Sequence, residues 1–280
     1  MTENLTDHPT VTLNDGHVMP QLGYGVFKIP QSETDEAVTA ALNTGYRSID
    51  TAAMYRNEEG VGAALAKSGV DRGDLFVTTK LNNDAHGYDA AMRACEASRD
   101  RLGLDYIDLY LIHWPLPSRD DMLDTWRALV QLEHDGVVRS IGVSNFQADH
   151  LTRIMDDSGV TPAVNQIELH PYLTQQPLRE FHLARGIVTE SWSPIARGGE
   201  LLNDELIIAL AEKYDRTPAQ IVIRWHLEKG YVVIPKSVTP RRIVENFAVA
   251  DFDLDSDDVE AIGGLNRDHR IGPNPDTFGG

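Results

Sequence analysis

Two hydrophobic rhythms alternate along this chain. Short runs such as residues 75–80 and 106–113 are apolar on both faces and rich in β-branched and aromatic side chains. Segments such as 89–102 and 122–134 instead place apolar residues every third or fourth position. The first rhythm predicts interior strands of a parallel sheet, and the second predicts helices packed against it. Strands are expected at 21–25, 47–50, 75–80, 106–113, 140–143, 163–168, 186–191 and 231–235. Helices are expected at 34–44, 58–68, 89–102, 122–134, 150–157, 178–185, 204–213, 218–229, 241–249 and 257–264. Residues 11–19 read as a hairpin around Asp15-Gly16, whose residue types suit a tight turn.

Eight strand–helix units close a barrel of about 250 residues. The predicted fold class is therefore α/β, a (β/α)8 TIM barrel with an N-terminal β-hairpin and an extra C-terminal helix. Residues 1–280 are read as one domain, with 265–280, rich in Gly, Pro and Asn, as a C-terminal loop. The alternative is a doubly wound open sheet. It would bring a G-x-G-x-x-G turn after its first strand, and both Gly23-Tyr24-Gly25 and Gly60-Val61-Gly62 lack the third glycine.

Composition narrows the partners. A formal net charge of −18 and a pI near 4.8 argue against nucleic acid and anionic membranes. The single cysteine, Cys95, permits no internal disulfide and agrees with a reducing, cytoplasmic setting. The N-terminal residues are polar and acidic, unlike a signal peptide, and no apolar run is long enough for a membrane span.

Against that background certain polar residues stand out. Asp50, Lys80, His113 and Ser144 each end an apolar run, about one βα unit of roughly 30 residues apart. Gln166, Ser193 and Lys236 continue the series on later strands. In a barrel, residues at the C-terminal strand ends share one mouth. Asp50 and Lys80 alone could be a plain buried ion pair, His113 a hydrogen-bonded core residue and Tyr55 a packing residue. An acid, an ammonium, a phenol and an imidazole predicted to share one cleft favour chemistry. One His, one Asp and one Lys make a poor metal set, and no H-x-H or H-E-x-x-H occurs, so no metal is expected. Gly142-Val143-Ser144-Asn145-Phe146 misses the G-x-S-x-G nucleophile elbow at its last position. Residues 234–242 gather Lys236, Arg241 and Arg242 with Ser237 at a strand end and a helix start. That combination predicts an anion site rather than a solvated turn.

These residues resemble the aldo-keto reductases over almost the whole chain. Three segments carry the resemblance: Gly45-Tyr46-Arg47-Ser48-Ile49-Asp50-Thr51-Ala52 with Tyr55, Glu58 and Gly62; Ile141-Gly142-Val143-Ser144-Asn145-Phe146; and Ile234-Pro235-Lys236-Ser237 with Arg242, Glu245 and Asn246. Leu111-Ile112-His113-Trp114-Pro115 and Asn165-Gln166-Ile167-Glu168 also match. The chain looks most like short-looped bacterial members such as the diketogluconate reductases.

The resemblance implies NADPH-dependent reduction of aldehydes and ketones by a cytoplasmic monomer. Tyr55 would be the proton donor and His113 would orient the carbonyl, with Lys80 and Asp50 tuning Tyr55. Ser144, Asn145 and Gln166 match the residues that hold the nicotinamide carboxamide, and Trp192 matches the stacking aromatic. Gly25 and Val26 fall among the cofactor positions, and Ser193 and Ile195 look like pyrophosphate-side contacts. Lys236, Ser237, Val238 and Arg242 match the clamp on the 2′-phosphate, with Glu245 and Asn246 at the adenine. Phe27, Asn82 and Trp114 would set substrate preference. Asn82 stands where many relatives carry a tryptophan.

An ammonium about 4 Å away, at an effective dielectric near 20, stabilises a phenolate by about 4 kcal/mol. Lys80 is thus expected to draw the Tyr55 hydroxyl down by up to about three pH units. Two rival readings stand beside the reductase. A nicotinamide-sensing binding module rests on fold analogy with channel-regulating relatives. A Schiff-base aldolase using Lys80 is disfavoured because Asp50 would keep the lysine charged.

Overall fold

Strands β1 (Thr10–Thr12) and β2 (Val18–Pro20) pair antiparallel to form the expected hairpin, with Gly16 taking a φ of 91° in its turn. The computed structural model describes residues 8–280. The acidic N-terminal segment, read above as no signal peptide, lies outside the described residues.

Eight parallel strands follow: β3 (Tyr24–Gly25), β4 (Ser48–Asp50), β5 (Phe76–Leu81), β6 (Ile107–Ile112), β7 (Val138–Ser144), β8 (Val164–Glu168), β9 (Val188–Trp192) and β10 (Val232–Val233). Each pairs with its neighbour in sequence. The ends then meet. Gly23 N donates to Val233 O at 2.9 Å, Val233 N to Gln21 O at 2.8 Å, and Gly25 N to Pro235 O at 3.2 Å. The sheet is therefore a closed (β/α)8 barrel, which leaves no unpaired edge.

Among the described residues, ten helices accompany the strands: α1 (Gln31–Thr44), α2 (Glu58–Lys67), α3 (Tyr88–Leu102), α4 (Met122–His134), α5 (Ala148–Ser158), α6 (Gln176–Arg185), α7 (Glu205–Tyr214), α8 (Pro218–Glu228), α9 (Pro240–Phe247) and the extra C-terminal α10 (Ser256–Gly263). Helix α8 starts where its sequence says it should: Pro218 follows Thr217, which forms a reciprocal cap with Gln220. Helix α1 begins earlier than its periodicity suggests. Pro30 precedes it, and the Thr34 hydroxyl donates back to Pro30 O at 2.8 Å instead of capping a later start.

The period of two along each strand sorts the side chains. On β6, Tyr110 and Ile112 join the layer between barrel and helices, while Leu109 and Leu111 fill the interior. That interior layer also takes Phe76, Val164 and Val232, and the hairpin residues Leu13 and Met19 close it from below. Continuing the inward parity to the opposite end brings Asp50, Lys80, His113, Ser144, Gln166, Glu190 and Trp192 to one mouth. Gly142 makes room for this packing: a Cβ there would lie 2.5 Å from Val164 O and 2.8 Å from Leu111 Cδ2.

Candidate active site

Lys80 is fully buried at the centre of the mouth. Its Nζ donates to Asp50 Oδ1 at 2.7 Å, to Asp50 Oδ2 at 2.8 Å and to Thr51 O at 2.8 Å. All three ammonium hydrogens have acceptors, so the ion is compensated for its burial. Burial works against the charged form, but Asp50, Tyr55 and Glu190 more than offset it and hold Lys80 above its usual value. Tyr55 sits in a short 3-10 turn, Ala53–Tyr55, directly after β4. Its hydroxyl lies 3.5 Å from Lys80 Nζ, at the limit of hydrogen-bond reach.

This geometry corrects the expected acidity of Tyr55. Burial pushes the phenol above its usual range, and the Lys80 ammonium offsets that only in part, with Asp50 acting against it. The expectation from sequence counts the ammonium and leaves out the desolvation. Lys80 is also spent on Asp50 and Thr51, which keeps it at a longer distance from the phenol.

His113 follows β6 and its ring meets the Tyr55 ring edge-on, with centroids 5.7 Å apart. Burial, then the Lys80 charge, hold its imidazole well below the usual value. It is therefore neutral at pH 7, with Nδ1 unpartnered among the described residues. Asn145, at a φ of 65°, ties this wall together. Its Nδ2 donates to His113 O and to Ser144 Oγ, both at 3.0 Å, and its Oδ1 accepts from Trp192 Nε1 at 2.8 Å. Ser144 Oγ donates to Gln166 O at 2.9 Å. Of the three residues matched to a carboxamide, Ser144 and Asn145 are thus largely occupied with one another.

Gln166 is bonded differently. Its Nε2 donates to Asp50 Oδ2 at 2.7 Å and to Glu190 Oε2 at 2.9 Å. Glu190 was not singled out from sequence. It is fully buried on β9, opposite Gln166 in register. The signal was available, since a lone glutamate at inward parity inside residues 186–191 is expensive unless it serves something.

Gly25 and Val26 lie between the mouth and the basic segment: Val26 N donates to Asp50 O at 3.0 Å, and Gly25 N to Pro235 O at 3.2 Å. The Tyr24 hydroxyl donates to Ser237 O. Thr239 precedes α9 and makes no side-chain cap. Lys236, Val238, Arg241 and Arg242 are exposed, Glu245 is half-buried and Ser237 and Asn246 are buried. Among the described residues, none of these three cations makes an ion pair. In a chain with 43 acidic residues, unneutralised cations at an uncapped helix start fit an anionic group. Ser193, at a φ of 51°, and Ile195 sit half-buried just beyond Trp192.

The C-terminal segment returns to the mouth. Buried Glu168 accepts from Ile271 N at 2.6 Å and Gly272 N at 2.8 Å, and His170 Nε2 lies 3.2 Å from its Oε1. Burial works against this carboxylate, but those hydrogen bonds bring it below its usual range. Gly272 passes so close that a Cβ would lie 2.5 Å from Trp192 Cη2. Beyond it, Phe278 packs on Trp114 at 4.5 Å between centroids, while Phe27 packs on Tyr55 at 5.0 Å. Phe278 escaped the sequence reading because the tail has no periodicity. Asn82 is engaged locally, where its Oδ1 accepts from Asn83 N at 3.0 Å. It lines a cleft of about 520 Å³ with Ala53, Arg56, Glu58, Asp84 and Arg101. Among the described residues no cluster of three or more His, Cys, Asp or Glu side chains is arranged to hold a metal ion, and no helix is long and apolar enough to cross a membrane.

Known proteins of the same kind share this architecture. The chain is 54% identical over 278 residues to methylglyoxal reductase DkgA of Escherichia coli, covering 98% of this chain and 99% of that one. It is 53% identical over 270 residues to an aldo-keto reductase of Mycolicibacterium smegmatis, covering 96% and 98%. A variant of Gox0644 solved in complex with NADPH superposes with a TM-score of 0.93 at 52% identity, covering 97% and 98%. A model of the aldo/keto reductase family matches residues 19–267, and the chain belongs to that family.

Proposed function

We propose that this enzyme reduces aldehydes and ketones to alcohols with NADPH, Tyr55 giving the proton. The observation that carries this reading is the meeting of Asp50, Lys80, Tyr55 and His113 at one barrel mouth. Bound NADPH supplies the hydride. The residues that would hold it are Gln166 and Trp192 at the nicotinamide end, and Lys236, Ser237 and Arg242 at the 2′-phosphate.

The protein's part follows from its protonation states. A carbonyl oxygen gains negative charge as its carbon is reduced and needs a proton donor beside it. Half-buried Tyr55, its acidity lowered by removal of water, keeps its proton at pH 7 and gives it up beside the Lys80 ammonium, which stabilises the phenolate left behind. Neutral His113 can donate one N–H to the same oxygen, but it has no spare proton to transfer. Lys80 remains charged and fully bonded, which removes it as a Schiff-base nucleophile. The aromatic rim of Phe27, Trp114 and Phe278 would shape entry for small reactive carbonyls. Methylglyoxal is a natural first probe, given the activity named for DkgA. The family resemblance also carries the expectation of a monomeric, cytoplasmic enzyme.

Tyr55→Phe tests the assignment. NADPH oxidation followed by absorbance with methylglyoxal should slow by about 10³-fold, within the range for losing a general acid, while NADPH binding stays near the wild-type value. Turnover like wild type in this variant would sink the proton-donor role.

A further inference from the structure

Besides Glu168, which holds the C-terminal segment, the mouth has a buried acid, Glu190, that the mechanism above does not use. We propose that Glu190 is a positioning residue: with Asp50 it grips Gln166 Nε2, so that Oε1 is the end of the amide left for the nicotinamide carboxamide. This rests on reading Gln166 as a cofactor contact.

An amide nitrogen has two hydrogens, and here each faces a carboxyl oxygen, at 2.7 Å on Asp50 and 2.9 Å on Glu190. A rotated amide would set its oxygen against the Asp50 carboxylate. The two acids therefore fix which way Gln166 points. Its oxygen accepts no hydrogen bond among the described side chains and backbone, so it is available to an incoming N–H. A nicotinamide carboxamide carries such a donor. Asp50 thus has two duties, one to Lys80 and one to Gln166. Glu190 shares the second.

The charge balance says in which form Glu190 does this. Lys80 and Asp50 already neutralise each other. A second carboxylate beneath them would be buried without a counter-ion. Glu190 Oε2 accepts from Gln166, and Oε1 has no partner among the described residues, which leaves it as the atom to carry a proton. The charged and titratable groups acting on Glu190 are Asp50 on β4, Lys80 on β5 and Tyr55 in the turn after β4. Its register neighbours on β8 and β10 are the uncharged Gln166 and Val232. Burial first, and the Asp50 charge second, push it up to about 8, against the Gln166 hydrogen bond and Lys80. Below that pH Glu190 is neutral and leaves the Lys80 field on Tyr55 intact. Above it the new negative charge makes Tyr55 a weaker acid.

Two variants separate the roles. Glu190→Ala removes an acceptor from Gln166, and NADPH affinity measured by fluorescence at pH 7 should fall about tenfold. Glu190→Gln keeps a side-chain oxygen that can accept, and should recover most of that loss. It also removes the titration, so the fall in kcat as pH rises through about 8 should move to higher pH. Thermal unfolding gives a readout without turnover. A glutamate raised on folding stabilises the fold fully below its unfolded value of 4.5 and loses that contribution as pH rises through about 8. The Tm of Glu190→Gln relative to wild type should therefore climb across that window. Wild-type NADPH affinity in both variants, with an unmoved alkaline limb, would overturn the proposal. If Glu190→Ala does not fold, the pH profile and Tm of Glu190→Gln decide it alone. Gln166→Ala, measured in parallel, separates the two levels of inference. Unchanged NADPH affinity there would overturn the cofactor contact itself. Weakened affinity there with no effect at Glu190 would overturn only the role of Glu190.

Discussion

The barrel holds a buried carboxylate paired with a cation at each end, and the two do different work. At the closed end, Asp108 Oδ2 accepts from Arg72 Nη2 at 2.5 Å and Val77 N at 2.9 Å, and its Oδ1 faces Arg139 Nη1 at 3.5 Å. Arg72 also bonds Leu75 O and Tyr106 O, and both arginines stack on the Tyr106 ring. Every partner belongs to the frame. At the open end, the Asp50–Lys80 pair is equally well bonded, but it reaches outward to Tyr55 and Gln166. Those residues, together with His113, still hold hydrogen-bonding capacity that no neighbour has taken. A buried ion pair is therefore not by itself the mark of chemistry in this protein; its contact with a phenol and an amide at the open mouth is.

Exchanging cation for apolar side chain at both ends should separate the two roles. Lys80→Met is expected to have the largest effect, lowering kcat by about 10³-fold, because it removes the charge that stabilises the Tyr55 phenolate. Arg72→Met should cost about 3 kcal/mol of stability in chemical denaturation, since it leaves buried Asp108 with only Val77 N and the more distant Arg139. Its kcat, measured where the protein remains folded, should match wild type. A loss of turnover as large as that of Lys80→Met would break the comparison. Arg242→Ala sharpens it from the other side. Arg242 is exposed and makes no ion pair among the described residues, so the free energy of unfolding should hold within what a surface change moves, about 0.5 kcal/mol. Its NADPH affinity should fall by roughly 10- to 100-fold while NADH affinity barely moves, because only NADPH carries the 2′-phosphate.

The sequence carries the frame well because the frame is periodic. Inward parity at strand ends was enough to place Asp50, Lys80 and His113 on one rim, and the Thr217-Pro218 start of α8 is local chemistry. What escaped depends on contacts distant in sequence. Glu190 looks like one polar residue in an apolar run until the barrel closes and sets it beside Gln166. Phe278 belongs to a segment without rhythm, and only packing brings it to Trp114. The acidity of Tyr55 was misjudged for a related reason: a neighbouring charge can be named from the sequence, whereas the amount of water removed from around a hydroxyl is a property of the whole mouth.

The attachment of the tail has an evolutionary consequence. Glu168 holds residues 271 and 272 through their backbone N–H groups, which almost any amino acid can offer. Gly272 alone must stay small, because Trp192 is at its back. The residues further out, Phe278 among them, can change without loosening that hold. On the proposed mechanism, the codons for residues beyond 272 can thus be rewritten while those for Asp50, Lys80, Tyr55 and His113 remain untouched.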